Sequence, residues 1–302
     1  IIIYTFAVEL FGTFLLALEF HKLGYAKPLW SALFHCVSAF STAGFSIYGQ
    51  GLTLFRDDLS VNLIIAFLCY AGAIGFIIPM DIYKKVVDKN HNITFTTKVI
   101  LFITALVCVG GTALYLVKSD HNVLAAFFQV MSASTTAGFN TVNIGALSTT
   151  SLSVLIAAMV IGASPSGTGG GIKTTSISVL LGVVQSVMRG QFKQICFLNR
   201  TIPFNRVFTS IAAANTYIFT LIIVVYLLTL TEPFSFLELC FEAASALGTV
   251  GLSMGITADL SMWGKIILSI AMFLGRVGPL SLGIAIFKSE SNVIPCKSDL
   301  AT

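Results

Sequence analysis

The chain has 302 residues, of which 56% are hydrophobic and 10% are charged, and its formal net charge is +4. A soluble domain carries about 25% charged residues, so this composition excludes an ordinary soluble protein. The apolar runs are about 20 residues long and do not alternate with polar positions, which favours spanning helices over a β-barrel. We therefore predict an all-α polytopic membrane protein.

Six long apolar runs follow one another along the chain. They cover residues 1–20, 61–80, 99–117, 152–187 (interrupted), 207–230 and 266–287. Between the members of each successive pair lies a 16-residue segment, at 29–44, 123–138 and 236–251. As a helix such a segment would reach about 24 Å, too short to cross a bilayer. The pattern predicts three units, each a span, a re-entrant helix with a loop, and a second span.

We predict unit boundaries at 1–90, 91–200 and 201–302. Lys and Arg are twice as frequent in the loops that join units and in the tail as on the side of the re-entrant segments. Because these residues concentrate in cytoplasmic loops, the joining loops are predicted inside and the re-entrant mouths outside. The basic inner loops and the tail 288–302 suit either a docked protein or anionic lipid.

Each re-entrant segment ends in one polar block, Ser-Ala-x-x-Thr-(Ala/Val)-Gly-(Phe/Leu)-(Ser/Asn). The three copies are SAFSTAGFS at 38–46, SASTTAGFN at 132–140 and SALGTVGLS at 245–253. Small residues alone could serve close helix packing in a membrane, but that does not explain one pattern repeated three times. Non-helical backbone at this depth is tolerated only inside protein or along a watery cavity.

The blocks predict an ion path. The carbonyl-rich end of a re-entrant helix favours a cation, and backbone carbonyls can replace the water around a potassium ion. The blocks contain no acidic residue, which favours a monovalent over a divalent ion. The candidate filter residues are Thr42, Ala43, Gly44, Thr136, Ala137, Gly138, Thr249, Val250 and Gly251.

Three residues occupy equivalent positions one helical turn ahead of the blocks. They are His35, Gln129 and Glu242. We expect them to form hydrogen bonds behind the loops, and not to bind a metal.

The stretch GASPSGTGGGIKTTS at 162–176 interrupts the fourth apolar run. Glycines in a helix cost about 1 kcal/mol each relative to alanine, so a loop is expected here. A nucleotide-binding P-loop does not fit, because Ile172 separates Gly171 from Lys173 and no strand precedes the loop. The loop is either a gate below the filter or an ordinary break in a helix. The candidate gate residues are Gly167, Thr168, Gly169, Gly170, Gly171, Lys173 and Arg276.

Arg276 is a cation within an apolar run, which makes it a functional candidate. It faces the pore as an electrostatic barrier, bonds the free carbonyls of the interrupted span, or does both. Lys173 has the same two roles open to it, or it extends toward the inner surface. The corresponding residue of the first unit is Ala73, and this asymmetry favours gating.

Taken together, the motifs resemble those of the Trk/Ktr/HKT superfamily of potassium transporters. STAGFS, TTAGFNT and GTVGLS resemble its second, third and fourth filter loops, and GASPSGTGGGIKTTS resembles its gating loop. GRVGPL is similar to the Ktr-type branch. The resemblance implies four membrane–pore-loop–membrane units with pseudo-four-fold symmetry around a central ion pore. The family's first unit has no counterpart in this chain, and we expect it before Ile1.

The resemblance further implies potassium uptake across the plasma (bacterial inner) membrane, with potassium held by filter carbonyls only and no covalent cofactor. Sodium remains open as a coupling or regulatory ion. The implied partners are membrane lipid, a second copy in a homodimer and a cytosolic nucleotide-binding regulatory subunit, with no nucleic acid. The alternatives are a sodium-permeable relative and an intramembrane hydrolase that uses Ser164 or Ser166. A hydrolase needs a base, and the six long runs contain no His or Asp, so we expect no enzyme.

Overall fold

A computed structural model describes residues 1–119, 122–191 and 194–287, so the tail 288–302 of the third predicted unit lies outside the described residues. Within these ranges the chain is helical apart from its connecting loops and one short strand pair. The helices are α1 (Ile2–Lys22), α2 (Pro28–Phe40), α3 (Leu59–Ile74), α4 (Ile77–Val87), α5 (Phe95–Leu116), α6 (Val123–Ser134), α7 (Thr149–Val160), α8 (Thr174–Met188), α9 (Phe204–Thr231), α10 (Phe236–Leu247), α11 (Met262–Val277) and α12 (Pro279–Phe287). The strands are β1 (Cys196–Phe197) and β2 (Arg200–Thr201), which pair antiparallel.

The same three-helix triangle occurs three times. α1, α2 and α3 pack against one another, as do α5, α6 and α7, and then α9, α10 and α11. The triangles also meet in a repeated way, because α3 contacts α6 and α7 contacts α10. The second long helix of one triangle therefore packs on the short helix of the next, which sets the triangles side by side in chain order.

The short helices α2, α6 and α10 begin at residues suited to a helix start. α2 has Pro28 in its first turn, and the Asn122 side chain accepts a hydrogen bond from the Ala125 amide at 2.8 Å. At α10, Ser235 and Glu238 form a capping box. The Ser235 hydroxyl and amide donate to Glu238 and hold the pKa of that carboxyl below its ordinary value. These caps fix where each short helix begins, so its length fixes where the helix ends within the polar block.

Two of the predicted spans are bent in the structure. The run 61–80 divides into α3 and α4, which are bent by 90°, and the run 266–287 divides into α11 and α12, bent by 83°. At the equivalent positions Gly75 and Gly278 the backbone φ is +74° and +89°, and a residue at positive φ cannot continue a right-handed helix. By length and composition, α1, α5 and α9 qualify as spans within the described residues, and each bent pair would add one.

The predicted interruption of the fourth run is present between α7 and α8. The loop covers residues 161–173, and we call it the glycine-rich loop. The predicted loop 162–176 extends three residues too far, because Lys173 is the cap residue and α8 begins at Thr174.

Two glycines allow helices to approach closely at equivalent crossings. A Cβ on Gly72 of α3 would overlap the carbonyl oxygen of Phe40, the last residue of α2. A Cβ on Gly275 of α11 would likewise overlap the carbonyl oxygen of Leu247, the last residue of α10. The C-terminal end of each of these short helices is therefore positioned by a glycine of the long helix behind it.

We expect Gly72→Ala to lower the free energy of unfolding by about 1–3 kcal/mol, the usual cost of overpacking. Thermal unfolding of the purified protein in detergent would measure it. Gly110→Ala is the matched control, because Gly110 is also helical and a Cβ there meets nothing within 4 Å. An unchanged unfolding temperature for Gly72→Ala would contradict the close crossing.

Candidate functional site

The three polar blocks fold into the same turn, which we call the Thr-x-Gly turn (42–44, 136–138 and 249–251). The backbone φ is +52°, +57° and +53° at Thr42, Thr136 and Thr249, and +71°, +82° and +92° at Gly44, Gly138 and Gly251. A β-branched residue at positive φ is uncommon and costs about 1–3 kcal/mol, so it persists only where the surroundings impose it. Three such threonines at equivalent positions indicate one shape that the fold imposes three times.

Hydrogen bonds to the short helices impose this shape. The middle residue of each turn donates its amide to the carbonyl of the block's first serine, with Ala43–Ser38 at 2.8 Å, Ala137–Ser132 at 2.9 Å and Val250–Ser245 at 2.8 Å. The hydroxyls of Ser38 and Ser132 donate to the carbonyls of Phe45 and Phe139 at 2.8 and 2.6 Å. In the third block Ser245 instead accepts from the Gly251 amide at 3.1 Å. The repeated serine is thus the residue that ties each turn to its helix.

The turns lie side by side in chain order. A Cβ on Gly44 would overlap the carbonyl oxygen of Ala137, and a Cβ on Gly138 would overlap that of Val250. Around Gly251 a Cβ would meet only Gly138 Cα, at 3.9 Å. Ala43 and Gly251 are exposed, whereas the middle turn is covered on both sides. The three turns therefore form an arc that is open on one side.

The glycine-rich loop contacts the threonines of all three turns. Thr168 Oγ1 lies 3.0 Å from Thr42 Oγ1, and the Gly170 amide donates to Thr136 Oγ1 at 3.0 Å. A Cβ on Gly170 would overlap Thr249 Oγ1. The loop thus covers one end of the arc, and its glycines fit there because they have no side chain.

Two basic side chains hold carbonyls of the glycine-rich loop. Arg276 Nη1 donates to the Thr168 carbonyl at 2.7 Å, and Lys173 Nζ donates to the Gly169 carbonyl at 2.6 Å. Of the two roles left open for Arg276, the structure contains the bond to a free carbonyl of the interrupted span. A cavity of about 270 Å³ adjoins the loop at this point and is lined by Lys173, Tyr217 and Arg276, among others. The loop therefore has free space beside it.

The serine that a hydrolase would need has a structural role. Ser164 is buried, and its hydroxyl donates to the carbonyls of Ala73 and Ile74. Its amide also donates to Ala73, at 3.2 Å. These bonds attach the loop to the end of α3. Ser166 is exposed at a φ of +66°.

The expected hydrogen bonds behind the turns are present. His35 Nε2 lies 2.9 Å from Ser46 Oγ, Gln129 Nε2 donates to Thr141 Oγ1 at 3.0 Å, and Glu242 accepts from Ser253 Oγ at 2.6 Å. Each side chain reaches the segment that follows its turn. Among the described residues no group of three His, Cys, Asp or Glu side chains is arranged to hold a metal.

Sequence reasoning missed the close crossings at Gly72 and Gly275 and the contact of Thr168 with Thr42. The signal for the crossings was available, because AGAIGF and LGRVGP align with a glycine at the same place. No comparable signal exists for Thr168, whose partner is 126 residues away.

Comparison with known proteins decides the family. The model of the TrkH cation transport proteins matches residues 1–294. The chain belongs to this family. The resemblance identified from the motifs is therefore confirmed. The relatives of this chain are named as transport proteins, so the alternative of a hydrolase is set aside.

Several relatives match most of the chain. The Ktr system potassium uptake protein B of Bacillus subtilis is 33% identical over 97% of this chain and 68% of its own length. The protein of the same name from Vibrio alginolyticus is 34% identical over 92% of this chain and 63% of its own. The potassium/sodium uptake protein NtpJ of Enterococcus hirae is 30% identical over 91% of this chain and 64% of its own.

The predicted fold class is confirmed. The crystal structure of the potassium transporter TrkH from Vibrio parahaemolyticus matches with a TM-score of 0.74 over 92% of this chain and 62% of that one, at 22% identity. At this identity the likeness shows the fold alone. The chain spans about two thirds of the length of the relatives it matches.

Proposed function

We propose that this chain lines part of a pore for potassium uptake, with the carbonyls of the three Thr-x-Gly turns as a selectivity filter. The observation that carries the proposal is the same strained turn formed three times, with each glycine set against the next turn. Backbone carbonyls arranged in this way coordinate a dehydrated potassium ion in place of water. The predicted unit boundaries at 1–90, 91–200 and 201–302 form part of the proposal. The pore requires a further wall on the open side between Ala43 and Gly251.

We further propose that the glycine-rich loop is the gate. It touches the threonine of every turn, so in the described arrangement it stands at one end of the proposed ion path. Arg276 and Lys173 hold two of its carbonyls, and the cavity beside it offers space for displacement. The gate residues are those predicted from the sequence, Gly167 to Gly171 with Lys173 and Arg276.

Sodium permeation is the second candidate function. The observation that favours it is the 30% identity with a protein named for both potassium and sodium uptake. Glycine is present at the third position of all three described turns, and the wall on the open side would decide between the two ions.

The partners in the proposal follow from the relatives. Two of them are named as components of a Ktr system, which supports a cytosolic regulatory subunit, and we propose a nucleotide-binding one. A homodimer in the bacterial inner membrane completes the proposal. Exposed apolar side chains on α1 and α9 suit contact with lipid or with a second copy.

The full-length protein should restore growth at low potassium to a cell that lacks its own potassium uptake systems. Growth and initial rates of potassium uptake are the measurements. Sodium uptake without potassium uptake would instead support the second candidate function.

Gly138→Ser should weaken discrimination of potassium against sodium about 10-fold or more. The left-handed φ strains the new side chain, and its Cβ overlaps the Val250 carbonyl, so the turn must change shape. Competition of sodium with potassium uptake measures the change. Gly24→Ser is the matched control, since Gly24 has a φ of +74° but open space around it. Unchanged selectivity in a properly inserted Gly138→Ser protein would reject the filter assignment.

Deletion of residues 167–171 should raise the flux of potassium, because it removes the backbone that covers the turns. Potassium efflux from proteoliposomes measures this, with size-exclusion chromatography as the folding control. Thr168→Val is a milder test that removes only the hydroxyl next to Thr42, and Thr168→Ser keeps that hydroxyl. Unaltered or reduced flux in folded protein counts against a gate.

A further inference from the structure

The three side chains behind the turns differ in charge although their positions are equivalent. His35, Gln129 and Glu242 each precede the block serine by one helical turn, and their exposed fractions are 0%, 0% and 4%. All three bond to the outer arm, the chain segment that follows the glycine of each turn. The three side chains therefore make the same kind of contact in all three repeats. Their functional groups differ, because the first is an imidazole, the second an amide and the third a carboxylate.

The first two groups fit their surroundings as neutral side chains. His35 Nδ1 lies 2.7 Å from the Ser31 carbonyl, which only accepts, so this nitrogen carries the proton. His35 Nε2 lies 2.9 Å from Ser46 Oγ and, in a neutral ring with the proton on Nδ1, accepts from that hydroxyl. Gln129 donates its amide hydrogen to Thr141. Neither side chain places a formal charge behind its turn.

Glu242 is surrounded by donors. It accepts from Ser253 Oγ at 2.6 Å, from the Met254 amide at 3.0 Å and from Thr257 Oγ1 at 2.8 Å. Hydrogen-bond donors placed around a carboxyl group favour its charged form. Within residues 1–119, 122–191 and 194–287, no Lys or Arg forms an ion pair with it. The charge is therefore held by hydrogen bonds and is left uncompensated by a fixed cation.

The carboxyl group of Glu242 binds the chain segment that leaves the third turn. The Met254 amide that binds the carboxylate is only three residues beyond Gly251. Two unit charges about 8 Å apart, at an effective dielectric constant of about 20, change a binding equilibrium by a factor of 10 or more. A cation resting at the turns would accordingly be attracted by Glu242 and by neither of its two counterparts.

We propose that Glu242 is the residue that sets cation affinity at the filter, supplying a fixed negative charge behind the third turn while it positions the outer arm. This inference rests on the proposed filter function. It assigns the three repeats unequal roles, because the third one attracts the cation and the other two provide neutral walls.

Glu242→Gln in the full-length protein tests the inference. Glutamine keeps the length of the side chain, can accept from Ser253 and Met254, and can donate to Thr257, so it removes the charge and preserves the shape. We expect the KM for potassium uptake to rise about 10-fold with little change in the maximal rate. Glu238→Gln is the matched control, since it removes a charge from the start of the same helix and should leave KM unchanged.

A pair of substitutions at Thr257 separates charge from positioning and does not depend on the folding of Glu242→Gln. Thr257 is half-buried and donates to Glu242. Thr257→Lys places an ammonium group beside the carboxylate and should raise KM as Glu242→Gln does. Thr257→Val removes the same hydrogen bond without adding charge and should change KM far less. Equal effects of the two variants would overturn the electrostatic role.

The outcomes distinguish this inference from the proposed function. If the wild-type protein takes up no alkali cation, the proposed function fails. If it takes up potassium and Glu242→Gln has the wild-type KM, the inference about Glu242 fails alone.

Discussion

The left-handed threonine in each Thr-x-Gly turn is the constraint on which the rest of the structure depends. A β-branched residue does not adopt this backbone without compensation. The compensation comes from the short helix before the turn, whose block serine holds the next amide at 2.8 to 2.9 Å. The C-terminal end of the short helix must itself be held in place. Gly72 and Gly275 allow this for α2 and α10, because each lets a long helix pack directly against the end of the short one. The helix caps, the block serines and the helix glycines therefore share one role, which is to hold the strained turn in place.

Breaks in the long helices follow from the same arrangement. Gly75 and Gly278 end α3 and α11 with a left-handed φ at equivalent places. At the end of α3 the free carbonyls of Ala73 and Ile74 receive hydrogen bonds from Ser164 of the glycine-rich loop. At α11 the equivalent place is taken by Arg276, which reaches the Thr168 carbonyl. Both helix ends therefore support the loop, one through its backbone and the other through a side chain.

Much of the fold and of the candidate site was predictable, because the same sequence pattern occurs three times. Three copies of one block indicated the three helix triangles, the short helices and the position of the turns, since a pattern repeated in the sequence reports a repeated local structure. The bends at Gly75 and Gly278 were missed because hydropathy measures the apolar length of a run and is insensitive to its direction. The contact of Thr168 with Thr42 was missed because it joins residues from different repeats, and no local pattern encodes such a pair. Arg276 could be singled out as a cation within an apolar run, but its partner could only be found in three dimensions.

The threonines of the turns take part both in the turns themselves and in the contact with the glycine-rich loop. Thr42 and Thr136 shape their own turns and also bind the glycine-rich loop. On the proposed function, a cation that binds at the turns and draws them together changes how well the loop fits beneath them. Thermodynamic linkage makes this effect mutual, so that occupancy of the turns and detachment of the loop bias each other by the same free energy. On that proposal the turns and the loop form a single coupled unit, and selection cannot alter ion occupancy without altering detachment of the loop.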